Sequence, residues 1–288
     1  MCVLNGEYDQ SNLSAEEGFV VVALYFRTLR SSSSGNCLGL WTEQTNVIID
    51  CGLNSQKLCR ALLSQHAGAI ENISAVLVSH LHQDHINYSA LRVLEQHGIT
   101  VRIHESLVSK FKDKFAAPDR FGNLILRPFS STAFNLGEFN IKPVKIPHSP
   151  QHDNYGFVIH CRHQGRGIKI VIMTDFYNWD GLAEHFIDAD FIYVEANHNP
   201  GLLKKYPNPN SHYHMQNESV ADLLCSARKL SKRRPAAVML GHLSKERNTR
   251  ELAVEAINHT FKRNNMRQDF ALHVAPPDCA SQEIRIAD

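Results

Sequence analysis

Ser79-His80-Leu81-His82-Gln83-Asp84-His85 gathers three imidazoles and a carboxylate into one short stretch. It follows directly on Ala75–Val78, an apolar run that reads as a buried strand. If the strand continued, His80, His82 and Asp84 would share one face; a tight loop at the strand end can instead turn all four side chains inward. Neutral imidazole and carboxylate are the donors that borderline divalent ions take, with zinc first and manganese or iron as further candidates. The competing reading is a solvated histidine-rich loop, but a random polar loop rarely collects this set.

Four more residues share a position just beyond an apolar run. Asp50 ends Val47-Ile48-Ile49, His148 follows Ile146-Pro147, Asp175 follows Ile170–Thr174, and His242 follows Val238-Met239-Leu240-Gly241. Where strand ends converge, ligands bind at that edge. Singly, each of these residues has a plain reading as a turn, cap or surface group. Together with the histidine loop they can complete a centre. His80, His82 and His148 make one three-donor face that leaves a position for water. Asp84, His85 and His242 make a second, and Asp175 can bridge the pair. Two ions roughly 3.5–4 Å apart can share a hydroxide nucleophile and stabilise charge on substrate oxygens. Asp50 is left without an ion and is expected to orient one of the ligands.

The bulk composition narrows the class. A chain of 288 residues suits one large domain or two small ones and is long enough for a proper core. Thirty basic residues against twenty-nine acidic ones, a formal charge of +1, demand neither a nucleic-acid nor a membrane partner. No apolar run approaches the roughly 18–20 residues that span a bilayer. The polar, acidic start does not read as a secretory signal, so residues 1–18 are expected to be an N-terminal extension to a domain over 19–288. Seven cysteines, an odd number without CxxC spacing, argue for a reducing compartment, with the cytoplasm as default.

Strands are expected at Phe19–Leu29, Cys37–Thr42, Val47–Asp50, Val101–His104, Phe139–Ile146, Tyr155–His160, Ile168–Met173, Phe191–Glu195, Ala236–Leu240, Ala271–Val274 and Glu283–Ile286. Helical spacing marks Ser55–His66, Ser89–His97, Leu107–Phe115, Glu218–Lys229 and Glu251–Phe261. Ser31–Asn36 reads as a loop. Asn197–Gln216, with Pro200, Pro207 and Pro209, reads as the least regular segment. This order fits sheets covered by helices on their outer faces.

The histidine loop, Ser33-Ser34-Gly35-Asn36-Cys37, Val47–Leu53, Glu195–Pro200 and Gly241–Glu246 together resemble the metallo-β-lactamase superfamily, and within it the YycJ/WalJ-type exonuclease group, over roughly residues 19–286. The resemblance implies an α+β fold, a four-layer αββα sandwich with two divalent ions at one edge between the sheets. It carries the metal roles onto His80, His82, Asp84, His85, His148, Asp175 and His242, and it implies phosphodiester hydrolysis of a nucleic acid. Three segments depart from the group's pattern: Arg30-Ser31-Ser32-Ser33-Ser34, where glycines are usual; Tyr213–Asn217, which lacks the usual arginine-glycine; and Ser149–Asn154. All touch the substrate side.

Further candidates are weaker. Ser34 and Asn36, beside Ser33 and Gly35, can hydrogen-bond a phosphate or a metal ligand; a plain polar loop explains them equally. Asn217 and Ser244 are candidate substrate contacts. With Asp84, His198 and His214 are candidate catalytic groups, since either histidine can protonate a leaving group, and Glu195 can orient one of them. Lys229, Lys232, Arg233 and Arg234 read as a solvated helix end; Lys204-Lys205 and Lys245–Arg247 are smaller basic clusters. The expected function is a dinuclear metal-dependent phosphodiesterase or nuclease. The alternative is a thioester, lactone or cyclic-nucleotide hydrolase on the same centre.

Overall fold

A computed structural model describes residues 20–21, 23–115 and 120–287. The expected extension over 1–18 lies outside the described residues. The first half of the chain forms β1 (Val20–Val21), β2 (Leu24–Ser32), β3 (Gly35–Trp41), β4 (Asn46–Ile49), α1 (Gln56–Ala67), β5 (Ala75–Leu77), α2 (Tyr88–Gln96), β6 (Val101–His104), α3 (Val108–Phe115) and β7 (Leu126–Phe129). There follow β8 (Phe134–Leu136), β9 (Phe139–Ile146), β10 (Asn154–His163), β11 (Arg166–Met173), α4 (Ala183–Phe186), β12 (Phe191–Glu195) and α5 (Pro200–Lys205). The chain ends with α6 (Asn217–Leu230), β13 (Ala237–Gly241), α7 (Arg250–Arg263), β14 (Ala271–Val274) and β15 (Ile284–Ala287).

One sheet runs β15-β2-β3-β4-β5-β6-β7, the other β14-β13-β12-β11-β10-β9-β8, with β1 beside β10. The antiparallel hairpin β3–β4 gives way to parallel pairing from β4 to β7, and β11 to β14 are parallel in the other sheet. Strand periodicity divides the apolar residues between faces. Val47, Ile49 and Leu77 turn inward to meet Phe157, Ile170, Phe191 and Tyr193 of the opposite sheet. Ile48 and Val76 turn outward, under Leu63 of α1, Leu91 and Leu94 of α2 and Phe111 of α3. On the far side Val171, Ile192 and Val238 pack under Phe186 of α4, Leu224 of α6 and Ile257 of α7. The result is the four-layer αββα sandwich. Strands buried on both faces read as continuous apolar runs, which is why Ala75–Leu77 and Ala237–Leu240 show no alternation.

Helix starts follow local capping chemistry. The side chains of Ser55, Asn87 and Thr249 accept hydrogen bonds from the backbone N–H groups of Leu58, Ala90 and Leu252. Two expected loops are ordered differently. Ser31 and Ser32 belong to β2 and pair with Asn36 and Gly35 of β3, so the turn is only Ser33-Ser34. Ser31 is buried and hydrogen-bonds the Tyr193 hydroxyl at 2.8 Å, so here a serine is a strand residue with an interior partner. Within Asn197–Gln216, Asn199 caps α5 by accepting from Leu202 N, and Pro200 sits in the first turn, where its missing N–H costs nothing. Pro209 likewise opens a 3₁₀ turn over Pro209–Tyr213. The short strands β7 and β8 lacked a recognisable pattern because their residues are largely exposed or half-buried.

Phe191 is fully buried between the sheets, its ring 4.6 Å from that of Phe26. Phe191→Ala is expected to destabilise the fold by about 3–5 kcal/mol through the cavity it leaves. Urea unfolding followed by circular dichroism reads the change; a loss below about 1 kcal/mol would contradict a close-packed sheet interface.

Candidate metal centre

The ends of β4, β5, β9, β11 and β13 meet at one edge of the sandwich and carry Asp50, the 80–85 loop, His148, Asp175 and His242. Three of these residues turn sharply: Asp50, Asp175 and His242 have φ values of 58°, 60° and 53°. L-residues seldom occupy this left-handed region, at a cost on the order of 1–3 kcal/mol each, and such strain gathers at functional sites. The turn takes each side chain out of the strand's alternation and into the shared edge. Gly52 lets the histidine loop come close, since a Cβ there would lie 1.8 Å from the Asp84 carbonyl oxygen. The loop is tied down by Asn36 N and Cys51 N, which donate to the carbonyls of Asp84 and His85 at 2.7 Å each.

The donor atoms fall into overlapping groups. His80, His82, His148 and Asp175 form one, Asp84, His85, Asp175 and His242 another, with the ligand atoms of each group within 4.8 Å of one another. Asp175 belongs to both. Its Oδ2 lies 3.7 Å from His80 Nε2, and its Oδ1 lies 3.3 Å from His85 Nε2 and 3.5 Å from His242 Nδ1. Asp84 Oδ2 is 3.3 Å from His242 Nε2, and His148 Nε2 is 3.2 Å from His82 Nδ1. All seven residues that sequence reasoning singled out as metal donors therefore converge.

Outer partners set the tautomers. Asp50, fully buried, accepts from His85 Nδ1 at 2.7 Å and from the Ser79 backbone N–H and hydroxyl at 2.8 Å. With the Ser79 proton given to Asp50, its oxygen accepts from His80 Nδ1 at 3.0 Å. His148 Nδ1 donates to the Tyr213 carbonyl at 3.2 Å. Glu195, also fully buried, accepts from His214 Nδ1 at 3.1 Å and His242 Nδ1 at 3.2 Å. The Nε2 lone pairs of His80, His85, His148 and His242 are thereby left for the centre. His80 Nε2 is buried with no hydrogen-bond partner, as expected of an atom meant for a cation.

The electrostatics agree. Burial and the neighbouring imidazole of His148 hold His82 down at about 4, a neutral donor near neutral pH. Burial and the facing His85 likewise push His80 well down. Burial opposes charge on His242, but Asp175, Asp84 and Glu195 outweigh it and lift the ring to about 10. Against the same burial, His242 and His85 hold Asp175 well below the usual carboxylate range. The carboxylates require positive charge beside them. Protons on His85 and His242 can supply it, and so can a divalent cation. The residues present fit metal binding.

The centre opens into a cleft of about 360 Å³. His214 and Ser244 line it, with Ser33, Asn208, Asn210 and Arg247. His198 is buried with its Nδ1 unpartnered and does not line the cleft. Asn36 donates from Nδ2 to Asp84 Oδ2 at 3.2 Å and lies 3.1 Å from His85 Nε2, so it touches the donors themselves. Asn217 exchanges amide hydrogen bonds with Asn248 at 2.9 and 2.8 Å and laces the start of α6 to the segment before α7. Ser34 donates its N–H to Ser32 Oγ within the turn, while its neighbour Ser33 faces the cleft. Sequence reasoning missed Ser79, and also Asn154, whose Nδ2 donates to the carbonyls of Thr174 and Asp175 at 2.9 and 2.6 Å. The position of Ser79 between a strand and the first histidine was the available signal; Asn154 gave none.

Fold and site together define a metal-dependent hydrolase of the metallo-β-lactamase fold. The chain belongs to the β-lactamase superfamily domain family, whose model matches residues 45–242. It is 26% identical over 278 residues to the exodeoxyribonuclease WalJ of Streptococcus pneumoniae, an alignment covering 90% of this chain and 97% of the relative. Against the exodeoxyribonuclease YycJ of Bacillus anthracis the identity is 24% over 272 residues, covering 89% and 97%. Among solved structures, the metallo-β-lactamase fold protein YhfI of Bacillus subtilis superposes with a TM-score of 0.68 at 16% identity, covering 91% of this chain and 99% of that one. No helix among the described residues is long and apolar enough to cross a membrane.

Asp50→Asn removes the carboxylate that fixes the His85 and Ser79 protons while keeping its shape. Metal affinity is expected to fall about 10–100-fold, as for other partners of metal-bound histidines. Titration with a chelator of known affinity measures it, and an unchanged constant would refute the orienting role.

Proposed function

We propose that the protein is a dinuclear metal-dependent phosphodiesterase acting on nucleic acid. Zinc is the first candidate metal and manganese the second. One ion is assigned to His80, His82 and His148 and the other to Asp84, His85 and His242. The observation that carries the dinuclear reading is Asp175, whose two oxygens face the two donor groups. The phosphodiester and nucleic-acid reading is supported by the two exodeoxyribonuclease relatives, aligned over nearly their whole length. A pair of bound divalent ions supplies an acidified water and neutralises charge on the phosphate oxygens.

The chain's own groups complete the chemistry. Asp84 reaches the cleft with its carboxylate about one-fifth exposed, beside His242, and can accept the proton of the attacking water. His214 lines the same cleft, and its Nδ1 donates to Glu195, so Nε2 is the nitrogen turned toward a leaving oxygen and carries a proton to give when the ring is cationic. Burial opposes protonation of this ring, but Glu195 and Asp175 raise its pKa, keeping a proton available. His198, away from the cleft, is left with no direct part in the reaction.

His82→Ala and Asp175→Ala are each expected to reduce hydrolysis of bis(p-nitrophenyl) phosphate to background. Wild-type activity should vanish with a chelator and return with one particular divalent cation. Parallel assays on end-labelled single- and double-stranded DNA and RNA, with a small ester panel, identify the substrate class. Undiminished metal-dependent turnover in both variants would discard the mechanism. Turnover of esters with none of phosphodiesters would discard the substrate class.

A further inference from the structure

Arg247 is the one lysine or arginine among the described residues lining the cleft. It belongs to the Lys245–Arg247 cluster, in the loop between β13 and α7, shortly after His242. Its side chain is mostly buried, 13% exposed, and is fixed on several sides. Nε donates to the Tyr206 carbonyl at 2.7 Å, Nη1 approaches Ser244 Oγ at 3.4 Å, and Nη2 pairs with Glu246 at 2.8 Å. Glu246 itself is 71% exposed, so its charge is largely screened by solvent and only weakly offsets the guanidinium. A guanidinium has five N–H donors, so some remain after these contacts. Asn208 and Asn210 line the same cleft. Asn208 spends its Oδ1 on the Asn210 backbone N–H at 2.9 Å, which leaves its Nδ2 to donate elsewhere. A fixed guanidinium with amide and hydroxyl donors around it is suited to a phosphate, which takes planar, charge-assisted hydrogen bonds.

In the proposed function the charge of the reacting phosphate would be neutralised by the bound ions, so it does not need this group. The geometry points to a second phosphate-binding subsite, in which Arg247, with Ser244, Asn208 and Asn210, holds a non-reacting phosphate of the substrate. This inference rests on the phosphodiesterase reading and narrows it. The preferred substrate carries a further phosphate beside the one under attack, as an oligonucleotide does and as a simple ester or a cyclic mononucleotide does not. Arg247 is thereby a specificity-determining residue: it acts through binding, without taking part in bond making or breaking.

The test compares Arg247→Ala and Arg247→Lys with wild-type holoenzyme on two substrates, a short oligothymidylate and bis(p-nitrophenyl) phosphate, which has no second phosphate. The ratio of kcat/KM for the oligonucleotide over that for the small diester is expected to fall about 10–100-fold in Arg247→Ala, mainly through KM. Arg247→Lys, which keeps the charge, should recover part of the loss. The slope of log KM for the oligonucleotide against log salt should shrink by about one in Arg247→Ala, the mark of one lost phosphate contact. Equal losses on both substrates would show that Arg247 only supports the loop, and an unchanged ratio would show that it touches no phosphate. Either result overturns the subsite while leaving the metal-centred reading intact. Wild-type enzyme that cleaves the small diester and no oligonucleotide would instead remove the nucleic-acid reading itself, and the subsite with it.

Discussion

The edge of the sandwich depends on the ionised carboxylate of Asp175, which is held in the interior at 1% exposure. A bare carboxylate there would carry a prohibitive desolvation cost, so its surroundings must supply positive charge or donors. They do so on both sides. Oδ1 faces His85 and His242, and Oδ2 faces His80 and His214. Thr174 donates its hydroxyl to Oδ1 at 2.7 Å, and Asn154 fixes the backbone on which the residue turns. Were this charge removed, His80, His85, His214 and His242 would lose the carboxylate that all four face. The left-handed turn at Asp175 is strain held in place by those contacts.

A ring of acceptors outside the histidines has the second claim on the architecture. Each imidazole has two nitrogens, and which one faces inward is decided by what the other one meets. Asp50 and Ser79 occupy the Nδ1 positions of His85 and His80, the Tyr213 carbonyl occupies that of His148, and Glu195 occupies those of His242 and His214. His82 is the exception, turning Nδ1 inward toward His148. The outer ring draws on both sheets and on the segment after β12, so the orientation of each donor is fixed by elements distant in sequence.

That distance explains what the sequence could and could not disclose. The histidine loop, the strand-end residues and the covering of sheets by helices were legible because each rests on a local signal: a dense donor motif, an apolar run with a polar stop, or a strand–helix alternation. The four-layer arrangement itself came from the resemblance those segments carry. The orienting part of Asp50 was also legible, since ligand counting left it over. Glu195 could be named as an orienting group for His198 or His214; it holds His214, and also His242, which no local signal paired with it. The Ser31 hydroxyl accepts from His242 N across a separation of 211 residues, and no local pattern announces such a bond. The serine run reads as a loop by composition, yet interior partners for Ser31 make it a strand. Asn36 and Asn217 were visible as polar residues in suggestive segments, but burial turned the first toward the metal donors and the second toward Asn248. Composition shows that a residue can form hydrogen bonds; only packing decides with what.

The donor groups also have a mechanical consequence. His80, His82, Asp84 and His85 follow a strand of one sheet, whereas His148, Asp175 and His242 follow strands of the other. Each proposed ion therefore takes donors from both sheets and can be fully coordinated only when the two are packed face to face. Binding energy at such a site is linked to the native packing, because an unfolded chain cannot present these residues together. The same inter-sheet core that Phe26, Phe191 and Tyr193 fill holds the two halves of the centre in register. Catalytic geometry and sheet packing are thus a single constraint, imposed from the core on one side and from the cation site on the other.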